Sequence, residues 1–377
     1  MMGPRGSRDR PVAILAGGTG GHVFPALAVA ESLRAQNVPV FWIGTERGLE
    51  ARVVPAHALE FQGLAIGGYR RKGLWDRLIW PFRLVRAVAS AGLLLLRRRP
   101  RAALGMGGFA SGAGAIAALL LRIPLIVHEQ NAVPGLANRW LARPATRVLQ
   151  AFPESFPAQR NAVTVGNPVR PGFTQFTPPW GRFEARTGPL RLLVVGGSQG
   201  AESFNQVVPA ALARVDQAQR PTVWHLAGRD KAEGTRERYR EHGLAATVEA
   251  FVDDMPAAYA WADLAIARAG ALTLAELTAI GLGAILVPYP YAVDDHQTAN
   301  AQTLLEAGGG ILLPAAELTA DSLAEALRGL SRSHCQRWAE AAFRLAQPDA
   351  ATQVAGYCLR SGRHPTRAAS QTTEGAL

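Results

Sequence analysis

Glycine-rich segments, each with polar side chains close by, are where this chain can do chemistry. Gly17-Gly18-Thr19-Gly20-Gly21-His22 follows an apolar run, Val12 to Ala16, and leads into an alanine-rich stretch. A glycine turn opening a helix exposes backbone N–H groups beside the positive end of the helix dipole, which makes a general anion site. The segment is not a dinucleotide fingerprint, because Val23 stands where a third glycine belongs, and it lacks the lysine of a P-loop. His22 at its tip titrates in the range of a general base, with capping of the helix as the other reading. Gly196-Gly197-Ser198-Gln199-Gly200 repeats the logic, and the Ser198 hydroxyl adds a donor. The same residues match Gly-x-Ser-x-Gly, the nucleophile elbow of α/β hydrolases, with Asp263 and His296 following in triad order. Against a hydrolase stand a first loop without serine and two matched halves.

More polar groups gather after other apolar runs. Gly105 to Gly112 is a third glycine loop, suited to a second anionic ligand or to plain connection. His128-Glu129-Gln130-Asn131 puts four polar side chains in a row at a strand end, a pattern that points to binding. Farther on, Arg268 to Glu276 combines a glycine turn with Glu276, which can accept from a ribose diol or cap its helix. Asp294-Asp295-His296-Gln297 offers donors and acceptors for sugar hydroxyls. No His-x-x-x-His or carboxylate pair completes a metal set, so no protein-held metal is expected.

The elements that must hold these loops alternate. Apolar strands are expected at Val12–Ala16, Val38–Ile43, Ala102–Leu104, Leu125–His128, Val148–Ala151 and Thr164–Val165, with helices between them. The pattern restarts with strands at Arg191–Val195, Thr222–Leu226, Thr247–Glu249, Leu264–Ala267 and Ala284–Val287. This is the α/β pattern of two doubly wound, Rossmann-like domains facing across a cleft, and 377 residues are enough for two cores. Pro168 to Pro189 reads as the linker, and the polar residues after about Gly362 as disordered. Cys335 and Cys358 have no ligand spacing and suit a reducing compartment. The apolar run after the charged start is too short for a secretory signal. A charge-free stretch, Ala102 to Leu121, is broken by five glycines, so no span across a membrane is expected there.

Charge is concentrated. Of the net +11, a window from Arg70 to Arg101 supplies +9 through ten basic residues and the single acid Asp76. It also carries an apolar stripe, Leu74, Leu78, Phe82 and Val85, with Trp75 and Ile79 beside it. Arg and Lys flanking Trp, Phe and Leu describe a helix lying on an anionic bilayer. A core helix with a solvated basic face is the plainer reading, and Pro81 divides the run into two short helices if it breaks it. Base-stacking spacing is absent, so no nucleic-acid partner is expected.

Together GGTGGH, GMGGFASG, HEQN, GNPVR, GGSQGA, RAGALTLAE and DDHQTANA, in that order between about Val12 and Gly356, resemble the MurG family. These are N-acetylglucosaminyltransferases of peptidoglycan synthesis. The resemblance implies a GT-B fold with an acceptor- and membrane-binding domain over 11–167 and a UDP-GlcNAc-binding domain over 168–334. A last helix, about 335–360, would pack back on the first domain. It also implies that Ser198 meets the diphosphate, Glu276 the ribose, and the backbone of Val252 the uracil. Ala271, Leu272 and Thr273 would line the nucleotide pocket. His296 and Gln297 would meet the GlcNAc hydroxyls, with Asn131, Thr19, Gly20 and Gly21 reaching that sugar from the other side and Arg170 near the donor. His22 or Glu129 would take the acceptor proton. The implied reaction is inverting transfer from UDP-GlcNAc to the C4 hydroxyl of lipid I, without a cofactor. The implied location is peripheral, on the cytoplasmic face of the bacterial inner membrane, beside other cell-wall synthesis proteins. A glycolipid glycosyltransferase with a diacylglycerol acceptor, a UDP-sugar epimerase and a polyanion binder are the rivals.

Overall fold

A computed structural model of the chain describes residues 10–66, 74–197 and 200–361, without the side chains of 74–78, 109, 110 and 293. Short, fully buried apolar runs build two parallel sheets, the form strands take when helices cover both faces. The first sheet comprises β1 (Val12–Leu15), β2 (Val40–Thr45), β3 (Glu60–Leu64), β4 (Ala102–Gly105), β5 (Leu125–Glu129), β6 (Arg147–Gln150) and β7 (Val163–Thr164). The second comprises β8 (Arg191–Val195), β9 (Thr222–Leu226), β10 (Thr247–Glu249), β11 (Leu264–Ala267), β12 (Ala284–Leu286) and β13 (Gly310–Leu312). Their spatial orders are β3-β2-β1-β4-β5-β6-β7 and β10-β9-β8-β11-β12-β13. In each sheet the order reverses beside the first strand, at β1/β4 and at β8/β11. Ligands of open α/β sheets sit at such switch points, beyond the carboxyl ends of the strands.

Around the first sheet lie α1 (Gly20–Ala35), α2 (Glu50–Ala56), α3 (Leu74–Arg98), α4 (Phe109–Leu120) and α5 (Leu136–Leu141). The second half carries α6 (Pro179–Glu184), α7 (Glu202–Ala213), α8 (Ala232–Glu241), α9 (Met255–Trp261), α10 (Ala271–Ile280), α11 (His296–Glu306), α12 (Ala320–Arg328) and α13 (Arg332–Phe343). Where one helix over 335–360 was expected on the first half, α13 stays in the core of the second, and only α14 (Ala350–Ser361), the last helix among the described residues, returns to the first. Its Val354, Ala355 and Cys358 are buried in one core with Val12, Ile14 and Leu27. Cys335 is buried instead in the core of the second sheet, so the two cysteines stand in different cores. Fully burying a valine such as Val354 stabilises by about 1.5–3 kcal/mol.

Two further expectations change here. The segment expected as a loose linker holds Phe173 and Phe183 in the second half's cores, and Arg182 donates to the carbonyls of Ile280 and Gly281. The basic window contains one continuous helix, α3, rather than two short ones, despite Pro81. The helix spreads its basic residues, Arg77 to Arg98, over about 32 Å at 1.5 Å per residue. At its far end Arg98 pairs with Glu60, and Arg101 is buried, donating to the carbonyl of Arg10. The window is therefore not one patch. Ala87, Ala91 and Leu95 bury the inner face of α3 against α4 and the sheet edge, while Phe82 and Val85 stay 77% and 68% exposed. Ile79–Arg98 is long and apolar enough by composition to cross a bilayer, yet this inner face is bound into the domain core. Ala102–Leu121 is, as expected, a strand, a glycine loop and a helix.

Candidate active site

The first glycine loop is shaped from behind. Glu50, fully buried at the start of α2, accepts from the N–H of Gly18 at 3.0 Å, the N–H of Thr45 at 2.8 Å and the Thr45 hydroxyl at 2.6 Å. Three donors, two of them backbone, allow a buried carboxylate without a cation. The loop after β4 packs directly on it: the Gly17 N–H donates to the carbonyl of Gly107 at 3.3 Å. A Cβ on Gly108 would come within 2.2 Å of the Gly17 carbonyl oxygen, and one on Gly107 within 2.8 Å of the His22 ring. Both glycines also hold positive φ, so no other residue type fits this junction. The third glycine loop thus forms one floor with the first.

His22 lies in the first turn of α1 with Nδ1 3.4 Å from the Thr19 hydroxyl. Thr19, not His22, is the N-cap residue, and its side chain makes no cap bond. Burial lowers the His22 pKa below its ordinary value of 6.5, against the opposing pull of Glu129 and Glu50, and His296 lowers it further. The ring is therefore neutral near pH 7, the form that takes up a proton. The second half's α11 reaches the first half through Asn300, which bonds Asn131 and Ala132.

The polar run after β5 turns inward. His128 is fully buried, its Nε2 3.0 Å from the Gly166 carbonyl, and burial lowers its pKa to about 4. Gln130 bonds back to His128. Both oxygens of Glu129 are taken: one by the N–H and side-chain amide of Asn131, the other by the Gly135 N–H and Asn138. Only Asn131 stands half-buried at the cleft. Strand-end polarity here builds a rigid loop, and it leaves His22 better placed than Glu129 to meet a substrate proton.

Across the cleft, Gly270 caps α10, which carries Leu272, Thr273 and Glu276. Glu276 is buried, accepting from Arg170 at 3.2 Å and from the Tyr259 hydroxyl at 3.3 Å. Burial pushes its pKa up to about 7 in spite of Arg170. Arg170 spans the halves: its guanidinium lies over Phe24 of α1 and Phe173 of the linker segment, and its Nε is buried without an acceptor among the described residues. His296 and Gln297 open α11, each half-buried. The Gln297 oxygen accepts from the Tyr289 N–H at 2.8 Å, which leaves its amide hydrogens for a ligand. Val252 is half-buried just after β10, beside exposed Phe251. Ser198 lies outside the described residues, though the strand before it ends at the same switch point.

The hydrolase triad does not assemble. Asp263 precedes β11, at its amino end, where Arg186 and Arg332 pair with it. It is fully buried, while the Gly196–Gly200 segment follows the opposite, carboxyl end of β8. Among the described residues no three His, Cys, Asp or Glu side chains form a metal set. No local pattern marks Glu50 or Asn300, whose partners lie up to 169 residues away.

Two Rossmann-like domains with carboxyl-end loops meeting across a cleft make this a protein of the GT-B fold. Residues 12–150 match the glycosyltransferase family 28 N-terminal domain, and residues 191–354 match its C-terminal domain. The UDP-N-acetylglucosamine–N-acetylmuramyl-(pentapeptide) pyrophosphoryl-undecaprenol N-acetylglucosamine transferase of Alkalilimnicola ehrlichii is 56% identical, covering 94% of this chain and 99% of its own. The enzyme of that name from Nitrosococcus oceani is 50% identical over 92% and 98%. Acinetobacter baumannii MurG superposes with a TM-score of 0.82 at 36% identity, over 93% of this chain and 99% of that one. A UDP-GlcNAc 2-epimerase from Neisseria meningitidis shares the fold, with a TM-score of 0.64 at 11% identity over 93% and 99%. The chain belongs to glycosyltransferase family 28, within the MurG N-acetylglucosaminyltransferases.

Proposed function

We propose that this enzyme moves GlcNAc from UDP-GlcNAc to the C4 hydroxyl of lipid-linked MurNAc-pentapeptide, converting lipid I to lipid II with inversion. The observation that carries the residue assignment is the packing of His22 at the junction of the first and third glycine loops, in the half to which Asn300 ties α11. Neutral His22 takes the proton of the attacking hydroxyl, a step of the kind that typically contributes 10²–10⁴ in rate. The oxygen attacks the anomeric carbon while the bond to UDP breaks on the opposite face. The departing diphosphate is met by Arg170, whose Nε lacks an acceptor, by the N–H groups of the second glycine loop and by Ser198. Glu276 receives the ribose diol, the Val252 backbone the uracil, and Gln297 with His296 the sugar hydroxyls. Ala271, Leu272 and Thr273 line the nucleotide pocket. Asn131, Thr19, Gly20 and Gly21 close on the sugar from the first half. This scheme needs no protein-held metal. The first half, 11–167 with α14, takes the acceptor and the second half the donor.

The outer face of α3, with Ile79, Phe82 and Val85 exposed beside Arg86, supports a peripheral seat on the anionic cytoplasmic face of the inner membrane. The side chains of Leu74, Trp75 and Leu78 lie outside the described residues, as do Arg70, Arg71 and Lys72. The test is transfer of labelled GlcNAc to a lipid I analogue, with diacylglycerol as the competing acceptor. Transfer to lipid I alone supports the reading. Transfer to diacylglycerol, or epimerisation of UDP-GlcNAc without acceptor, overturns it.

A further inference from the structure

Asn300 is fully buried in the second turn of α11 and uses every arm of its amide. Its oxygen accepts from the Ala132 N–H at 2.7 Å. Its nitrogen donates to the Asn131 side-chain oxygen and to the Ala269 carbonyl, both at 3.2 Å. A side-chain amide offers two donor hydrogens and one carbonyl, so one residue ties three partners. Two of them belong to the loop after β5 in the first half. The third lies one residue before Gly270, the N-cap of α10. On a helix, residues three and four apart share a face, so Asn300 stands one turn, about 5.4 Å, below Gln297 and His296. The loop it grips is itself fixed by Glu129, which bonds both nitrogens of Asn131.

We infer that Asn300 is a positioning residue that clasps the first half's Glu129–Asn131 loop to the second half's α10 and α11, and so fixes the donor sugar's distance from the proton acceptor. This rests on the proposed transfer reaction. Donor affinity comes chiefly from Glu276, Arg170 and the second glycine loop, which the clasp does not touch directly. Alignment of the acceptor hydroxyl with the anomeric carbon depends on it, and a misplacement of about 1 Å can cost about a hundredfold in rate. A looser cleft also admits water, whose oxygen can attack the same carbon to give free GlcNAc and UDP.

The test compares wild type with Asn300→Ala and with Asn300→Asp, which keeps an acceptor for Ala132 but sets a buried oxygen against the Asn131 and Ala269 oxygens in place of both donations. Folding is checked by thermal melting and donor binding by calorimetry with UDP. With lipid I analogue present, turnover is expected to fall about a hundredfold in either variant while UDP affinity holds, and the ratio of free GlcNAc to transferred GlcNAc to rise. Asn131→Ala should then cost about tenfold less in the Asn300→Ala background than in wild type. Unchanged turnover in a folded variant overturns the clasp, as do parallel losses of UDP affinity and turnover, or strictly additive losses in the double variant. Failure of the transfer reading shows separately, as absence of transfer by wild type that still binds UDP.

Discussion

Two buried glutamates face the same cleft from opposite halves and are held in opposite ways. Glu129 is saturated: four N–H donors from Asn131, Gly135 and Asn138, in its own loop and the helix that follows, fill both oxygens at 2.9–3.2 Å. Glu276 has two longer bonds, at 3.2 and 3.3 Å, to Arg170 and Tyr259 on other elements, and its pKa is pushed up to about 7. A carboxylate saturated by its own loop is a brace. One held by a few side chains from elsewhere can exchange them for a ligand. Burial alone does not separate the two, since they are 1% and 6% exposed; the number and source of donors does.

The contrast supports the proposed role of His22, rather than Glu129, as proton acceptor. His22→Ala is therefore expected to lower turnover about 10²–10⁴-fold with UDP binding unchanged, read by steady-state transfer and calorimetry. Near-normal turnover would return Glu129 to contention. Next in size, Glu129→Ala leaves four donors without their acceptor and should cost about 3 kcal/mol or more. That corresponds to a drop of roughly 6–12 °C in the melting temperature. Glu276→Ala should shift melting far less, and equal shifts would erase the distinction.

Glu276→Gln should weaken UDP-GlcNAc binding about tenfold, the loss of one charge-assisted hydrogen bond. The same residue predicts a pH dependence. Between its ordinary value of 4.5 and about 7, the folded enzyme holds a proton that the unfolded chain has released. This group's contribution to stability therefore falls as pH rises through that window. The ionised form accepts best from a diol, so donor affinity should rise with pH up to about 7, and Glu276→Gln should flatten that rise. Calorimetry from pH 5.5 to 8 would detect either outcome. The smallest effect is expected outside the cleft. Phe82→Ser on the outer face of α3 should reduce flotation with anionic vesicles a few-fold and leave both glutamates' behaviour untouched. A loss of donor affinity would place α3 in the site.

What the sequence disclosed follows from range. Buried parallel strands are local apolar runs, so β1, β4, β5, β8 and β11 could be read directly. β3 and β13 escaped because each carries mixed, partly exposed residues at a sheet edge. The glycine loops were legible because tight turns at strand ends need glycine whatever the tertiary context. The inward turn of HEQN was not, since nothing in four polar letters says which way each side chain points. Glu50 and Asn300 stayed silent for the same reason: each acquires meaning only from groups that folding brings from 32 and 168 residues away.

The return of α14 to the first half reaches beyond the finished molecule. The core around Val12 and Ile14 is completed by Val354, Ala355 and Cys358, encoded after the whole second domain. Domains generally fold in order as they leave the ribosome. Here the first domain must wait, incomplete on one face, until the last helix has been made. Its early strands thus leave the ribosome as nascent chain in need of protection, and the order of synthesis is not the order of completion.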